Sequence, residues 1–376
     1  MKVRGYGVNT NSRKGTGKGR KPANKNSKQL KIMLIALGVL VAGLVVIGVV
    51  IYGQLTNDDY TSLFAETSAP IQEQDIDPVA SGIQTQQPAD TRIDYNGKTY
   101  VKNENVVNIL FLGIDSTKER DIGNHSDMMI VCAVDTVAKN ATLISIQRDT
   151  WSDISKIDTK TGKITEMTKN RMNTAYLFGG GPNKFGASNA KACIQNFFER
   201  KIDLDTPLDF SLNIPISFYA SIDMDSIANI ADAVGGVEVK LDTTIPDVGS
   251  KGKTVKLKGD KAQLYLRDRH NTPGGDIGRA THQRYFMLQL AKKIKDMGAV
   301  EAMTKLWDKL NAYGKTDLNL DQALAFAKIL NNMDIDSIQQ LAVPGEITSI
   351  KEASVIKHDE AKTLEMMLSV YYKEVQ

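Results

Sequence analysis

Between residues 105 and 150 the apolar positions fall into three short runs that each end in charge. They are Asn108-Ile-Leu-Phe-Leu-Gly-Ile-Asp115, Asp127-Met-Met-Ile-Val-Cys-Ala-Val-Asp135 and Leu143-Ile-Ser-Ile-Gln-Arg148-Asp149. Short apolar runs bounded by polar punctuation read as strands. Asp135-Thr-Val-Ala-Lys-Asn140 predicts a hairpin between the second and third, and Tyr95-Asn-Gly-Lys98 predicts another ahead of the first, because Asn-Gly is a strong turn signal. Further on the period changes. Ala192, Cys193 and Phe197 repeat at helical spacing within 188–200, with Ser188 as the expected N-cap. Phe210, Leu212 and Ile214 alternate as a strand, and 216–233 reads as a helix stopped by Gly235-Gly236 before a strand Val237-Glu-Val-Lys-Leu241. An amphipathic helix is expected over Tyr285 to Ile294, closed near Gly298; Asn319 with Gln322 forms a capping-box pattern before Ala323 to Leu330; a last helix spans 359–372. Strands and helices interleave without a repeat, which predicts an α/β domain with a mixed central sheet flanked by helices over 105–376.

The N-terminal part has a different pattern. Residues 1–31 hold ten Lys and Arg and no acidic residue, and Ile32 to Tyr52 is a run of 21 residues without a charge. That run is long enough to cross a bilayer core of about 30 Å and exceeds the roughly 7–15 residues of a signal-peptide core, so it reads as a retained transmembrane helix over 32–52. The cations ahead of it, with Asp58-Asp59 behind, orient the basic tail (1–31) to the cytoplasm and all that follows to the outside. Residues 53–104 are polar, with Pro70, Pro78 and Pro88, and read as an extracytoplasmic linker. The expected location is therefore the cell membrane, single-pass, with an extracytoplasmic domain. The chain's net charge of +3, less the ten cations of the tail, leaves −7 on the rest. Basic character belongs to the tail, where topology and anionic lipid account for it better than nucleic acid does. Only Cys132 and Cys193 occur, too few for a disulfide framework, and the four His show no zinc spacing.

The charged ends of the runs carry the candidate chemistry. Asp115 and Asp127 close one strand and open the next, so adjacent strands would bring both carboxylates to one rim, where a hard divalent cation fits. Arg148 ends the third run. Arg267 and Arg269 are two apart, on one face if the segment is extended, and Arg279 and Gln283 are four apart at the start of a helix, whose N-terminus favours anions. Arginine rather than lysine at these places suits bidentate contacts to phosphate. Several arginines set against two aspartates predict a polyanionic substrate.

These residues carry a resemblance. Asn108 to Asp115, Ser126-Asp127-Met-Met, Ser145-Ile-Gln-Arg148-Asp149, Gly235-Gly-Val-Glu-Val239, Leu257-x-Gly259-x-x-Ala262 followed by Arg267-x-Arg269, and Asp276-x-x-Arg279 resemble the LytR-CpsA-Psr family in order and spacing. The resemblance implies an extracytoplasmic phosphotransferase that moves a glycopolymer (teichoic acid, capsule or another wall glycan) from polyprenyl pyrophosphate to peptidoglycan. It implies Mg²⁺ held by Asp115 and Asp127, a pyrophosphate clamp of Arg148, Arg267, Arg269 and Arg279, with Arg171 and Gln283 as further substrate contacts, and an apolar tunnel for the lipid. Asp127 or Asp149 is the expected proton acceptor. His125, Gln147 and His282 depart from the family pattern, which has Arg, Pro and Arg there; Arg171 stands where Lys is commoner. The expected partners are the lipid-linked glycan, peptidoglycan and the membrane, with no nucleic acid. Two other classes share some of these features, a polyprenyl-phosphate-binding wall module without turnover and a membrane-bound transcription regulator. Retention of both Asp and four Arg favours turnover, and the tail has no helix-turn-helix pattern.

Overall fold

The computed structural model describes residues 92–115, 124–200 and 211–375, all within the unit Asp59–Gln376. The tail expected over 1–31, the helix expected over 32–52 and most of the linker lie outside the described residues. Among the described residues, no helix is long and apolar enough to cross a membrane.

The first elements are β1 (Arg92–Tyr95), β2 (Lys98–Lys102), β3 (Val106–Asp115), β4 (His125–Asp135), β5 (Asn140–Ser145), β6 (Trp151–Ile157) and β7 (Ile164–Arg171), then α1 (Thr174–Phe178) and α2 (Gly186–Glu199). The middle of the chain forms β8 (Phe218–Asp223), α3 (Ile227–Ala233), β9 (Val237–Lys240), β10 (Thr254–Leu257), α4 (Asp260–Arg267), α5 (Asp276–Asp296) and α6 (Ala299–Tyr313). It closes with β11 (Gly314–Thr316), α7 (Leu320–Asn331), β12 (Gln339–Ala342), β13 (Gly345–Ile350), β14 (Ala353–His358), α8 (Glu360–Tyr371) and β15 (Tyr372–Val375).

Six strands form the central mixed sheet in the order β11-β8-β3-β4-β5-β12. The β3–β4 and β4–β5 pairs are antiparallel, while β8 and β12 run parallel to their neighbours β3 and β5. Side chains alternate between two cores. Ile109, Met128, Ile130 and Val134 face one, covered by α3 to α7; Leu110, Leu112, Met129, Val131 and Ala133 face the other, covered by α1, α2 and α8. Burial on both faces explains why these strands read as nearly unbroken apolar runs. The hairpin at Asn96-Gly97 joins β1 to β2, and β2 also pairs with the C-terminal β15. Among the described residues, strand pairing is thus already present from Arg92 onward.

Local patterns misled at three places. Leu212, Ile214 and Ile216 are buried and alternate, but the segment joins no sheet. Its N–H groups go instead to the Glu199 carbonyl and carboxylate, to Gln195 Oε1 and to Tyr372 Oη. Phe210 lies outside the described residues. The stretch 216–233 is not one helix: Phe218–Asp223 pairs along β3, and the helix begins only at Ile227. Helix α2 starts at Gly186, so Ser188 sits in its first turn and not at its cap. By contrast, Asn319 and Gln322 form both bonds of the capping box at the start of α7. Cys132 and Cys193 are free and belong to opposite faces of the sheet, so they do not pair.

Candidate active site

The three charged run ends converge through the backbone. The Asn173 N–H donates to the Arg148 carbonyl at 3.1 Å, and the Ser126 N–H donates to the Asn173 carbonyl at 3.3 Å. This lacing sets Asp127, Arg148 and Arg171 side by side. A register shift adds to it: Gly113 pairs with Met128 and Ile114 with Ser126, so Asp127 is the extra residue of a β-bulge. Bulges re-aim a side chain that regular pleating would send elsewhere.

Arg148 lies at the centre. Its Nη1 donates to Asp127 Oδ2 at 3.0 Å, its Nε to Asp149 Oδ2 at 3.4 Å and its Nη2 to Asp276 Oδ2 at 3.3 Å. Burial works against its charge, and the three carboxylates outweigh that cost, so its pKa stands above the ordinary arginine value. Arg279, only 8% exposed, lies 3.6 Å from Asp127 Oδ2 and 3.1 Å from Asp276 Oδ1. Burial there lowers the pKa, although Asp127 and Asp276 oppose the shift. Arg171 Nη1 donates to Asp149 Oδ1 at 3.2 Å, so Asp149 is held between two guanidiniums.

Asp115 anchors the other end. Arg267 Nη2 lies 3.5 Å from Asp115 Oδ1 and 2.9 Å from Asp225 Oδ1. Asp225 belongs to the short turn after β8, where the Asp223 carboxylate accepts from its N–H at 2.8 Å. Burial pushes the Asp223 carboxyl above its usual value; the Asp225 N–H opposes that shift and the Asp225 charge adds to it. Because β8 runs parallel to β3, with Ile114 opposite Asp223, both strands deliver carboxylates to one end of the sheet. Two glycines permit the close packing. A Cβ on Gly113 would lie 2.4 Å from Met224 Sδ, and one on Gly278 would lie 2.1 Å from the Pro273 carbonyl oxygen.

Several expectations change. Arg267 and Arg269 do not share a strand face. Arg267 ends helix α4, whose Ala262, Tyr265 and Leu266 are buried, and Asp268 turns the chain so that Arg269 is exposed. Arg269 is still close enough to work against the charge of Arg279. Gln283, 3% exposed, donates to the Leu266 carbonyl at 3.3 Å. It secures the end of α4 instead of facing the rim. His282 stacks on Tyr265 at 4.7 Å between ring centroids and meets Asp242 Oδ1 at 2.8 Å. Its partners lie away from the arginines. His125 faces Asp115 across β3–β4, and burial holds its pKa below the usual histidine value.

The charge balance also differs from the expected excess of arginine. Arg148, Arg171, Arg267 and Arg279 contact Asp115, Asp127, Asp149, Asp225 and Asp276, and Arg269 brings the cations to the same number as the carboxylates. Asp225 escaped the sequence reading because β8 read as helix; an acidic residue just past a strand end was its signal. The donor set for a metal is all carboxylate oxygen, which suits a hard cation such as Mg²⁺. Among the described residues no group of three or more His, Cys, Asp or Glu side chains is arranged to hold a metal ion, so the protein donors on offer are the two carboxylates of Asp115 and Asp127.

The LytR_cpsA_psr family model matches residues 73–369. Among relatives, the polyisoprenyl-teichoic acid–peptidoglycan teichoic acid transferase TagU of Enterococcus faecalis is 30% identical over 247 residues, 64% of this chain and 72% of that protein. The Bacillus anthracis protein of the same name is 27% identical over 320 residues, 84% of this chain and 88% of its own length. Two solved structures share the fold. B. subtilis TagV has a TM-score of 0.54 at 22% identity, with 71% of this chain and 96% of that one covered. TagT bound to LIIa-WTA has a TM-score of 0.55 at 17% identity, covering 81% and 95%. The bulged aspartate, the Arg148 hub and the Asp276–Arg279 helix start fall inside a family match that takes in nearly all the described residues, and the chain belongs to the LytR_cpsA_psr family.

Proposed function

We propose that this chain is a membrane-anchored, extracytoplasmic phosphotransferase that moves a wall glycopolymer from polyprenyl pyrophosphate to peptidoglycan. The observation that carries the reading is Arg148 joined at once to Asp127, Asp149 and Asp276, with Arg279 buried beside it. So many costly charges at one rim match phosphoryl transfer, where a protein contributes positioning and electrostatic stabilisation more than covalent chemistry.

Asp115 and Asp127 would hold Mg²⁺, which when bound supplies charge neutralisation for the pyrophosphate. The arginines do the rest. Arg148 and Arg279 stay positioned by Asp276, and the N–H groups that now face Asp127 turn to phosphate oxygens once that carboxylate takes the metal. Arg267 and Arg171 bound the site at its two ends, and Arg269 supplies an exposed cation for the approaching anion. Asp127 or Asp149 accepts the proton of the attacking sugar hydroxyl.

The test uses the full chain in detergent with Mg²⁺, a lipid-pyrophosphate-linked saccharide and a short peptidoglycan oligomer. The expected product is a phosphodiester-linked conjugate by mass, lost on chelation and in Asp127→Asn. Tight lipid binding with no conjugate over several saccharides would replace the transferase by a binding module.

A further inference from the structure

Beyond the Asp115 end of the cluster lies an open cleft that none of the roles above uses. It measures about 320 Å³ and is walled by Tyr219 on β8, Lys315 on β11, Tyr176 on α1 and the turn Pro182-Asn183-Lys184 ahead of α2. Alternate residues of a strand share a face, and directly opposed residues of an antiparallel pair point to the same side. Tyr219, Ser221 and Asp223 therefore line one face of β8, and Lys315, paired with Ser221, joins them. This is the face that α1 and α2 cover, since Tyr219 packs against their core. Both walls lead to the candidate active site. Asp223 is four residues from Tyr219, about 13 Å at the strand rise, and it pairs with Ile114, the neighbour of Asp115. On the other wall the turn packs on the start of β4. A Cβ on Gly181 would lie 3.0 Å from Asn124 Nδ2, and Asn124 precedes His125, which opposes Asp115. Burial pushes the Tyr176 phenol up to about 12; a hydrogen bond with Ser221 opposes that shift, and Tyr219 and Asp223 are near enough to add to it.

The lining is cationic and aromatic. Lys184 and Lys315 are its charged residues, both exposed, and neither has a carboxylate partner among the described residues. Lys191 nearby is already engaged: its Nζ meets Asp317 Oδ2 at 2.8 Å and lies 5.9 Å from the Tyr219 ring centroid. Asp317 also accepts from the Tyr219 N–H at 2.6 Å, so this ion pair fixes the tyrosine and adds no net charge. Tyrosine rings beside convergent hydrogen-bonding groups fit a ligand with apolar C–H faces and a rim of hydroxyls. Two separate ammoniums, compact point charges without a planar fork, add a place for anionic groups spaced along such a ligand.

We infer that this cleft is a subsite for an anionic saccharide, which the Tyr219–Asp223 row leads to the Asp115 end of the site. The inference rests on the transferase reading above and deepens it, because that reading places the pyrophosphate and leaves the sugars open. Two glycans of that reaction carry the chemistry: a peptidoglycan strand, through its carboxylates, and the polymer beyond the donor's pyrophosphate.

The full chain in detergent is titrated by calorimetry with a phosphate-free peptidoglycan oligomer, with a soluble teichoic acid, and with a neutral chitin oligomer that has sugar rings and no anionic group. Saturable binding of at least one anionic glycan is expected, with weaker binding of the neutral one. Lys184→Gln combined with Lys315→Gln, both at exposed positions, should weaken it about fivefold or more, the scale of two exposed charge contacts, with the fold intact. Lys315→Arg in place of the glutamine should restore part of the loss. In turnover the double variant should raise one KM by a like factor and leave the other: a raised acceptor KM identifies the peptidoglycan strand as the occupant, a raised donor KM the donor's polymer. A double variant that binds every glycan as the parent does, or transfers with both KM values unmoved, overturns the cleft and leaves the transferase reading standing. A neutral oligomer held as tightly as the anionic glycans overturns it too. Lysine-dependent glycan binding by a chain that yields no conjugate would defeat the transferase reading and leave the cleft as an anionic-saccharide site.

Discussion

Replacing Arg148 by alanine removes one guanidinium and leaves three carboxylates facing one another. The 3.0 Å bond to Asp127 lies near the usual charge-assisted length, while the 3.3 and 3.4 Å bonds to Asp276 and Asp149 are long. A hydrogen bond to a charged group contributes about 1.5–3 kcal/mol. Breaking a fully buried pair costs about 3–5 kcal/mol, and the Arg148 side chain is 20% exposed, so water can reach the space it leaves. The lower end, about 3 kcal/mol of folding stability, is therefore expected. For a domain of this size that corresponds to a drop in Tm of roughly 6–10 °C. The rate should fall further than stability requires, because the fork that meets the phosphate is gone: about 10²–10³ in kcat, by analogy with a lost oxyanion donor. Conjugate formation well below the variant's Tm separates the two effects. Arg148→Lys should regain part of the stability and little of the rate, since an ammonium cannot present the planar fork. An Arg148→Ala chain that transfers within tenfold of the parent, or melts at the same temperature, refutes the hub.

Gly113→Ala places a Cβ against Met224 Sδ and 2.9 Å from Met128 Cβ, and it should destabilise by about 1–3 kcal/mol through overpacking. Because the Met224 turn carries Asp225, transfer by the folded protein should fall as well; calorimetry with activity below the Tm checks both. Asn319→Ala removes the α7 cap and should cost about 1 kcal/mol in a denaturant titration, with kcat unchanged. Burial pushes the Cys132 thiol up to about 12 and raises that of Cys193, so the reactive thiolate is scarce at pH 8. Maleimide should label neither in the native chain and both after denaturation, and mass analysis after oxidation should find no Cys132–Cys193 bridge.

Most of the site's membership was legible in one dimension, because strands buried on both faces leave few places for charge. Asp115, Asp127, Arg148 and Asp149 stand at run ends for that reason, and the hairpins and the α7 capping box were equally local. Tertiary structure decided what those residues face. The bulge at Asp127 arises from the β3–β4 register, which no single strand contains. Helix α4 claimed Arg267 because Ala262, Tyr265 and Leu266 bury toward the core, and a pair two residues apart is too short to show that period. The parallel seating of β8 brought Asp223 and Asp225 to the end of β3, so acids at least match the arginines there and the site is not the cationic patch expected. Gln283 and His282, close to Arg279 in sequence, turned inward to Leu266 and Asp242. Composition and period determine which residues are buried and where charge collects; partners and charge balance depend on distances between segments far apart in the chain, and only packing sets those.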